Sequence, residues 1–136
     1  LAAAPDDAAQ EVQVQESVVA RATNYFTGGT GTLNTMAGKP SKLDPVSSGS
    51  VPDKSSVTDV EGHVSVSRGS IPFYLVVTAP DGTWAERYVG ATTTLKFDEF
   101  KDCSPSGKWF IQIYNTGSAF TDVSTATARM TVWYNY

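Results

Sequence analysis

The chain has 136 residues, 40% apolar and 11% aromatic, with a formal net charge of −4. That length suits one domain, and a charged fraction of only 18% leaves Ser, Thr and Gly to cover the surface, the balance of turn-rich β-structure rather than of helical bundles. Ten basic residues scattered through an acidic chain speak against a nucleic-acid partner, which needs clustered Lys and Arg, and no apolar run of ~18 residues is present to span a bilayer.

The opening stretch LAAAPDDAAQ reads as a disordered tail of the kind left after a signal peptidase has cut. Together with the single cysteine, it points to a secreted, bacterial protein whose one domain occupies residues 11–136. Next, EVQVQESVVARATNYF (11–26) alternates at Val12 and Val14 and again through Val19 and Arg21. One or two strands are expected there, with a helix over 8–22 as the competitor, since Ala, Gln and Glu favour helices. Residues 27–56 are punctuated by Gly, Pro and Ser without a sustained period. They predict a long excursion, with a short strand near Thr32–Thr35.

From Val57 the pattern sharpens. Val60, Gly62, Val64 and Val66 share one parity, and Glu61, His63 and Ser65 the other. IPFYLVVT is apolar in both parities, as a central strand would be. TWAERYV and TTTLKFDEF alternate, and KWFIQIYN turns Trp109, Ile111 and Ile113 inward. In TATARMTVWYNY, Ala126, Ala128, Met130, Val132, Tyr134 and Tyr136 fall on one side, opposite Thr127, Arg129, Thr131 and Trp133. The separators APDG, VGAT, SPSG and NTGS carry the residues that turns demand. Short alternating strands joined by such turns predict an all-β fold, a single antiparallel β-sandwich of jelly-roll type.

The order H…G…YLVVTAPDGT…LKF…F…SPSGKWFIQIYN, across residues 57–136, resembles the P domain that follows the catalytic domain of subtilisin-like proprotein convertases. It is also similar to the bacterial pre-peptidase C-terminal domain. Both resemblances imply a β-sandwich and an accessory role beside a secreted enzyme. They carry no functional residue onto this chain.

Little catalytic chemistry is available. A nucleophile–histidine pair would have to use His63 and Cys103, each the only one of its kind, and no Gly-x-Ser-x-Gly element is present. One His and one Cys also supply zinc poorly. Calcium suits the oxygens of FDEFKD better: Asp98, Glu99 and Asp102 lie within five residues and form the candidate metal set. Cys103 is expected to be a buried thiol, or to pair between chains.

Binding is the stronger expectation. Exposed aromatic rings offer large contact areas at small entropic cost. Trp133 has the parity opposite to its strand's core set, so it is either an exposed platform or a ring covered by the 27–56 excursion. Trp84 starts a strand after the APDG turn and is placed at the rim, with Tyr114 and Arg129 as flanking candidates. Trp109 belongs to the core. The sequence therefore predicts a secreted, non-catalytic module that binds a cell-surface or polysaccharide ligand. The alternative is a protein-binding accessory or inhibitory domain acting with a secreted protease.

Overall fold

The computed structural model describes residues 22–136. They form nine strands: β1 (Thr23–Gly29), β2 (Leu33–Met36), β3 (Asp44–Ser47), β4 (Ser56–Val66), β5 (Phe73–Thr78), β6 (Trp84–Val89), β7 (Thr93–Phe97), β8 (Lys108–Asn115) and β9 (Val123–Asn135). One sheet (sheet A) runs β1-β9-β4-β7, with β2 also paired to β9; the other (sheet B) runs β3-β8-β5-β6. All the pairings are antiparallel. Because β1 and β2 lie end to end along one side of β9, they act as one broken strand. The order is then that of an eight-stranded jelly roll. No helix among the described residues is long and apolar enough to cross a membrane.

Alternation places the core. On sheet A, Val60, Val64, Phe97, Ala126, Met130 and Val132 point inward; on sheet B, Phe73, Leu75, Val77, Trp109, Ile111 and Ile113 meet them. Trp109 is fully buried and its indole N–H donates to the Pro105 carbonyl at 3.0 Å, so its one polar atom is satisfied. Phe100 packs edge-on against it at 5.2 Å. Gly28 shows how closely the sheets approach at β1 and β3. A Cβ there would lie 2.6 Å from a Val46 methyl, so any side chain would require Val46 to shift.

The APDG turn forms as its residues require. Gly82 takes φ +94°, the Gly82 N–H donates to Ala79 O at 3.0 Å, and Thr83 N–H donates to Asp81 Oδ1 at 2.9 Å. Those hydrogen bonds from Thr83 also hold the Asp81 carboxyl below its ordinary pKa.

The segment 27–56 is mostly loop, as expected, but carries more strand than the one short stretch near Thr32–Thr35. It completes β1, contains β2 close to the expected short strand, and adds β3, which carries only one buried residue, Val46. With four residues and a proline, β3 has no readable period. It is tolerated because it is an edge strand. In the stretch 11–26 the described part, from Ala22, joins β1; the rest of that stretch and the 1–10 tail lie outside the described residues.

A polar knot fastens this segment to the sandwich. Asn115, buried at the end of β8, donates through Nδ2 to Asp122 O at 2.8 Å and to Thr35 O at 3.3 Å, and its Oδ1 accepts from Gly38 N–H at 2.7 Å. Ser124 Oγ closes the knot by donating to Ile71 O at 2.7 Å.

Candidate functional site

Strand register decides which side chains meet on each outer face. On sheet A three rows cross the strands. The first joins Tyr25, Trp133 and Asp59; the second Thr27, Thr131, Glu61 and Lys96; the third Gly29, Arg129, His63 and Thr94. Such directly opposed residues lie about 5 Å apart. A β-bulge between Val57 and Asp59 turns Asp59 to the outside beside Trp133.

Around Trp133 the face is concave. A groove of about 330 Å³ is lined by Thr23, Asp59, Glu61, Lys96, Asp98 and the indole, with Val60 and Phe97 beneath. Tyr25, 57% exposed, stands at its side with ring centroids 6.5 Å from Trp133. Trp133 is half-buried and its neighbours come from β1, β4 and β7. The 27–56 segment is not among the walls of the groove. Two rows along β9, a second hollow of about 290 Å³ is lined by Arg129, His63, Ser65 and Thr127. His63 and Thr94 share a hydrogen bond of 2.9 Å between Nδ1 and Oγ1.

The outer face of sheet B is different in kind. Tyr114, Tyr74 and Tyr88 form one cross-strand row, and Phe110, Thr78 and Trp84 another. Tyr74 stacks on Tyr114 at 5.3 Å and meets Tyr88 edge-on at 5.7 Å. The Tyr114 hydroxyl donates to Glu86 Oε2 at 2.5 Å. That bond to a carboxylate, aided by partial burial, pushes its pKa up to about 12. Trp84 and Tyr88, 58% and 60% exposed, both belong to the edge strand β6.

The four predicted binding residues thus divide between opposite faces. Trp133 and Arg129 share sheet A, whereas Trp84 and Tyr114 share sheet B. Sequence reasoning missed Tyr25, Asp59, Glu61 and Lys96 on the first face and Tyr74, Tyr88 and Phe110 on the second. Tyr88 and Phe110 are out of phase with the core sets of β6 and β8, a signal present in the sequence, whereas Tyr74 lies in a strand apolar in both parities, which hides its outward direction.

The candidate calcium set is divided among different surroundings. Glu99 is engaged by Arg87 through two hydrogen bonds of 2.7 Å, which hold its carboxyl below the ordinary range. The same guanidinium lies 4.9 Å from the centre of the Phe97 ring, closing the seam between the edges β6 and β7. Asp98 lines the Trp133 groove, and Asp102 adopts φ +70° in the following turn. Among the described residues no three His, Cys, Asp or Glu side chains gather so as to hold a metal ion. Cys103 is half-buried, 3.9 Å from Thr83 Oγ1, and burial pushes its thiol pKa up. Its hydrogen-bond partner is Thr83, and that of His63 is Thr94, so no hydrogen bond joins the two as a dyad.

No family model matches the chain, and no curated protein matches it by sequence. Among solved structures, FlhE is similar over 85% of this chain and 96% of its own, with 12% identity and a TM-score of 0.53. Weaker likenesses are tomato aspermy virus (12% identity, 81% and 76% coverage, TM-score 0.47) and PirA (14%, 79% and 93%, 0.41). At such identities the likeness to FlhE is one of fold alone. The class defined here is a two-sheet jelly roll with one polar, grooved outer face and one aromatic outer face.

Proposed function

We propose that this protein is a secreted, non-catalytic binding module that takes a polysaccharide or cell-surface ligand on the outer face of sheet A. The observation that supports this reading is the groove at Trp133, where an indole on the solvent side of β9 is surrounded by carboxylates, a lysine and threonine hydroxyls. A sugar ring presents axial C–H groups to an aromatic face and hydroxyls to its periphery. The groove offers a partner to each, with acceptors at Asp59, Glu61 and Asp98 and a donor at Lys96. Thr131 on the outer face of β9 extends the same surface toward Arg129.

The test is co-sedimentation with insoluble glycans and bacterial cell walls, with and without EDTA, for wild type and Trp133→Ala. Wild type is expected to pellet and the folded variant to stay in solution. EDTA sensitivity would bring a divalent cation into the account. Equal pelleting of both proteins, or of neither, contradicts the reading.

A second reading draws on the other face. An aromatic surface of Tyr74, Tyr88, Trp84 and Phe110 beside the edge strand β6 suits a protein partner, by side-chain contact and by strand addition. With the P-domain resemblance of residues 57–136, it supports an accessory or inhibitory domain acting with a secreted protease. Binding to such a protease that is lost in Trp84→Ala and kept in Trp133→Ala is the expected signature.

A further inference from the structure

The outer face of sheet A is electrically divided along β9. At one end Asp59, Glu61 and Asp98 surround Trp133, with Lys96 the only basic residue in the groove. At the other end Arg129 and His63 share a hollow that contains no carboxylate. The ion pairs among the described residues are Lys42–Asp44 and Arg87–Glu99. Within those residues no close ion pair forms on this face, although Glu61 and Lys96 stand opposite each other across β4 and β7; Asp59, Asp98 and Arg129 have no such facing partner in the strand register. Between the two ends runs Thr131, with Thr27 opposite it across the strand pair. Trp133 and Arg129 are four residues apart on one extended strand, a separation of about 13 Å.

We infer that the ligand of this face is a zwitterionic glycan: an ammonium group lies over Trp133 among the three carboxylates, and an acid group, carboxylate or phosphate, lies at Arg129. This rests on the glycan-binding reading above and narrows it. The indole face attracts a cation through its quadrupole, and the surrounding carboxylates add to that attraction. Arg129 presents a fork of N–H donors that matches the two oxygens of an acid group, and its side chain lies against Gly29 on the neighbouring strand. A neutral glycan would use the ring and leave both sets of charges without partners. A purely cationic or purely anionic chain would satisfy one end and be repelled at the other.

The test measures binding of four soluble oligomers by isothermal titration: zwitterionic carboxymethyl-chitosan, cationic chitosan, anionic oligogalacturonate and neutral N-acetylated chitin oligomer. Wild type is expected to bind the zwitterion at least tenfold more tightly than the neutral oligomer. Asp59→Asn should weaken zwitterion binding about fivefold and leave oligogalacturonate unaffected or improved. Arg129→Gln should show the converse, sparing chitosan. Cooperative melting of each variant confirms that it is folded. Should the neutral oligomer bind as tightly as the zwitterion, with both lost in Trp133→Ala, the inference falls and the glycan reading survives. Should none of the four bind and cell walls fail to pellet, both fall.

Discussion

The two outer faces of the sandwich share one core and one pattern of alternation, yet they solve the problem of exposure differently. On sheet A the strand between Arg129 and Trp133 carries threonine, and charged groups stand in hollows with their ionic partners left open. On sheet B aromatic groups turn toward one another, with Tyr74 stacked on Tyr114 and the Tyr114 hydroxyl held by Glu86. A face whose polar groups already satisfy each other has less to offer a polar ligand. A face with open donors, acceptors and an accessible indole has more. The three tryptophans sample the possibilities: Trp109 in the core, Trp133 in the groove of sheet A and Trp84 on the rim of sheet B.

The largest effect should come from removing what the faces share. Trp109→Ala is expected to cost about 3–5 kcal/mol, a large part of a typical ~5–15 kcal/mol total. It should abolish both surfaces together in a single thermal transition. Separate melting of the two sheets would break the comparison, because it would mean that neither depends on the common core.

Next in size is the separation of the faces by function. Trp133→Ala should reduce glycan affinity at least tenfold while leaving the melting temperature within a few degrees. Trp84→Ala and Tyr88→Ala should leave that affinity within about twofold. Isothermal titration with one oligomer across the three variants checks this. Loss of binding in the sheet B variants would reverse the assignment of the faces.

A smaller effect probes the internal satisfaction of sheet B. The folded pKa of Tyr114 is raised to about 12 from an ordinary value of 10.0, so the folded state holds that proton more tightly than the unfolded one. This contribution to stability is fully present below pH ~10 and is lost as pH rises toward ~12. Tyr114→Phe should lower stability by roughly 0.5–1.5 kcal/mol at neutral pH and flatten the decline above pH ~10. Denaturant melts across that range, with absorbance titration of the phenols, measure both.

The smallest effect is expected at the seam. The Arg87–Glu99 pair is partly exposed, with side-chain exposures of 30% and 40%. Glu99→Gln should therefore cost less than about 1 kcal/mol, and less still at high salt. Because Arg87 lowers the Glu99 pKa, the pair stabilises above the ordinary carboxylate pKa and fades as pH falls through the lowered one. Urea melts at two salt concentrations resolve it.

Much of the fold was legible because β4, β8 and β9 are long enough to show their period; in β9 every second residue from Ser124 to Tyr134 is buried. The sandwich and the core place of Trp109 followed from that alternation. β3 was hidden because Asp44–Ser47 offers one apolar residue and a proline. The site was only half legible for a different reason. Parity along one strand tells inside from outside, so it joined Trp133 to Arg129. It does not tell which of two sheets a strand enters, so nothing in the sequence separates Trp84 and Tyr114 from that pair, although they face the other way. Nor does it give cross-strand register, which brings Asp59 beside Trp133 through a bulge that no local pattern announces.

The most direct test of the central claim uses the three indole N–H signals in a ¹H–¹⁵N spectrum, assigned by single substitutions and followed during titration with a bound oligomer. The account predicts that the Trp133 signal moves in proportion to saturation while those of Trp109 and Trp84 stay in place. Movement of Trp84 with Trp133 unmoved would contradict it and place the ligand on sheet B.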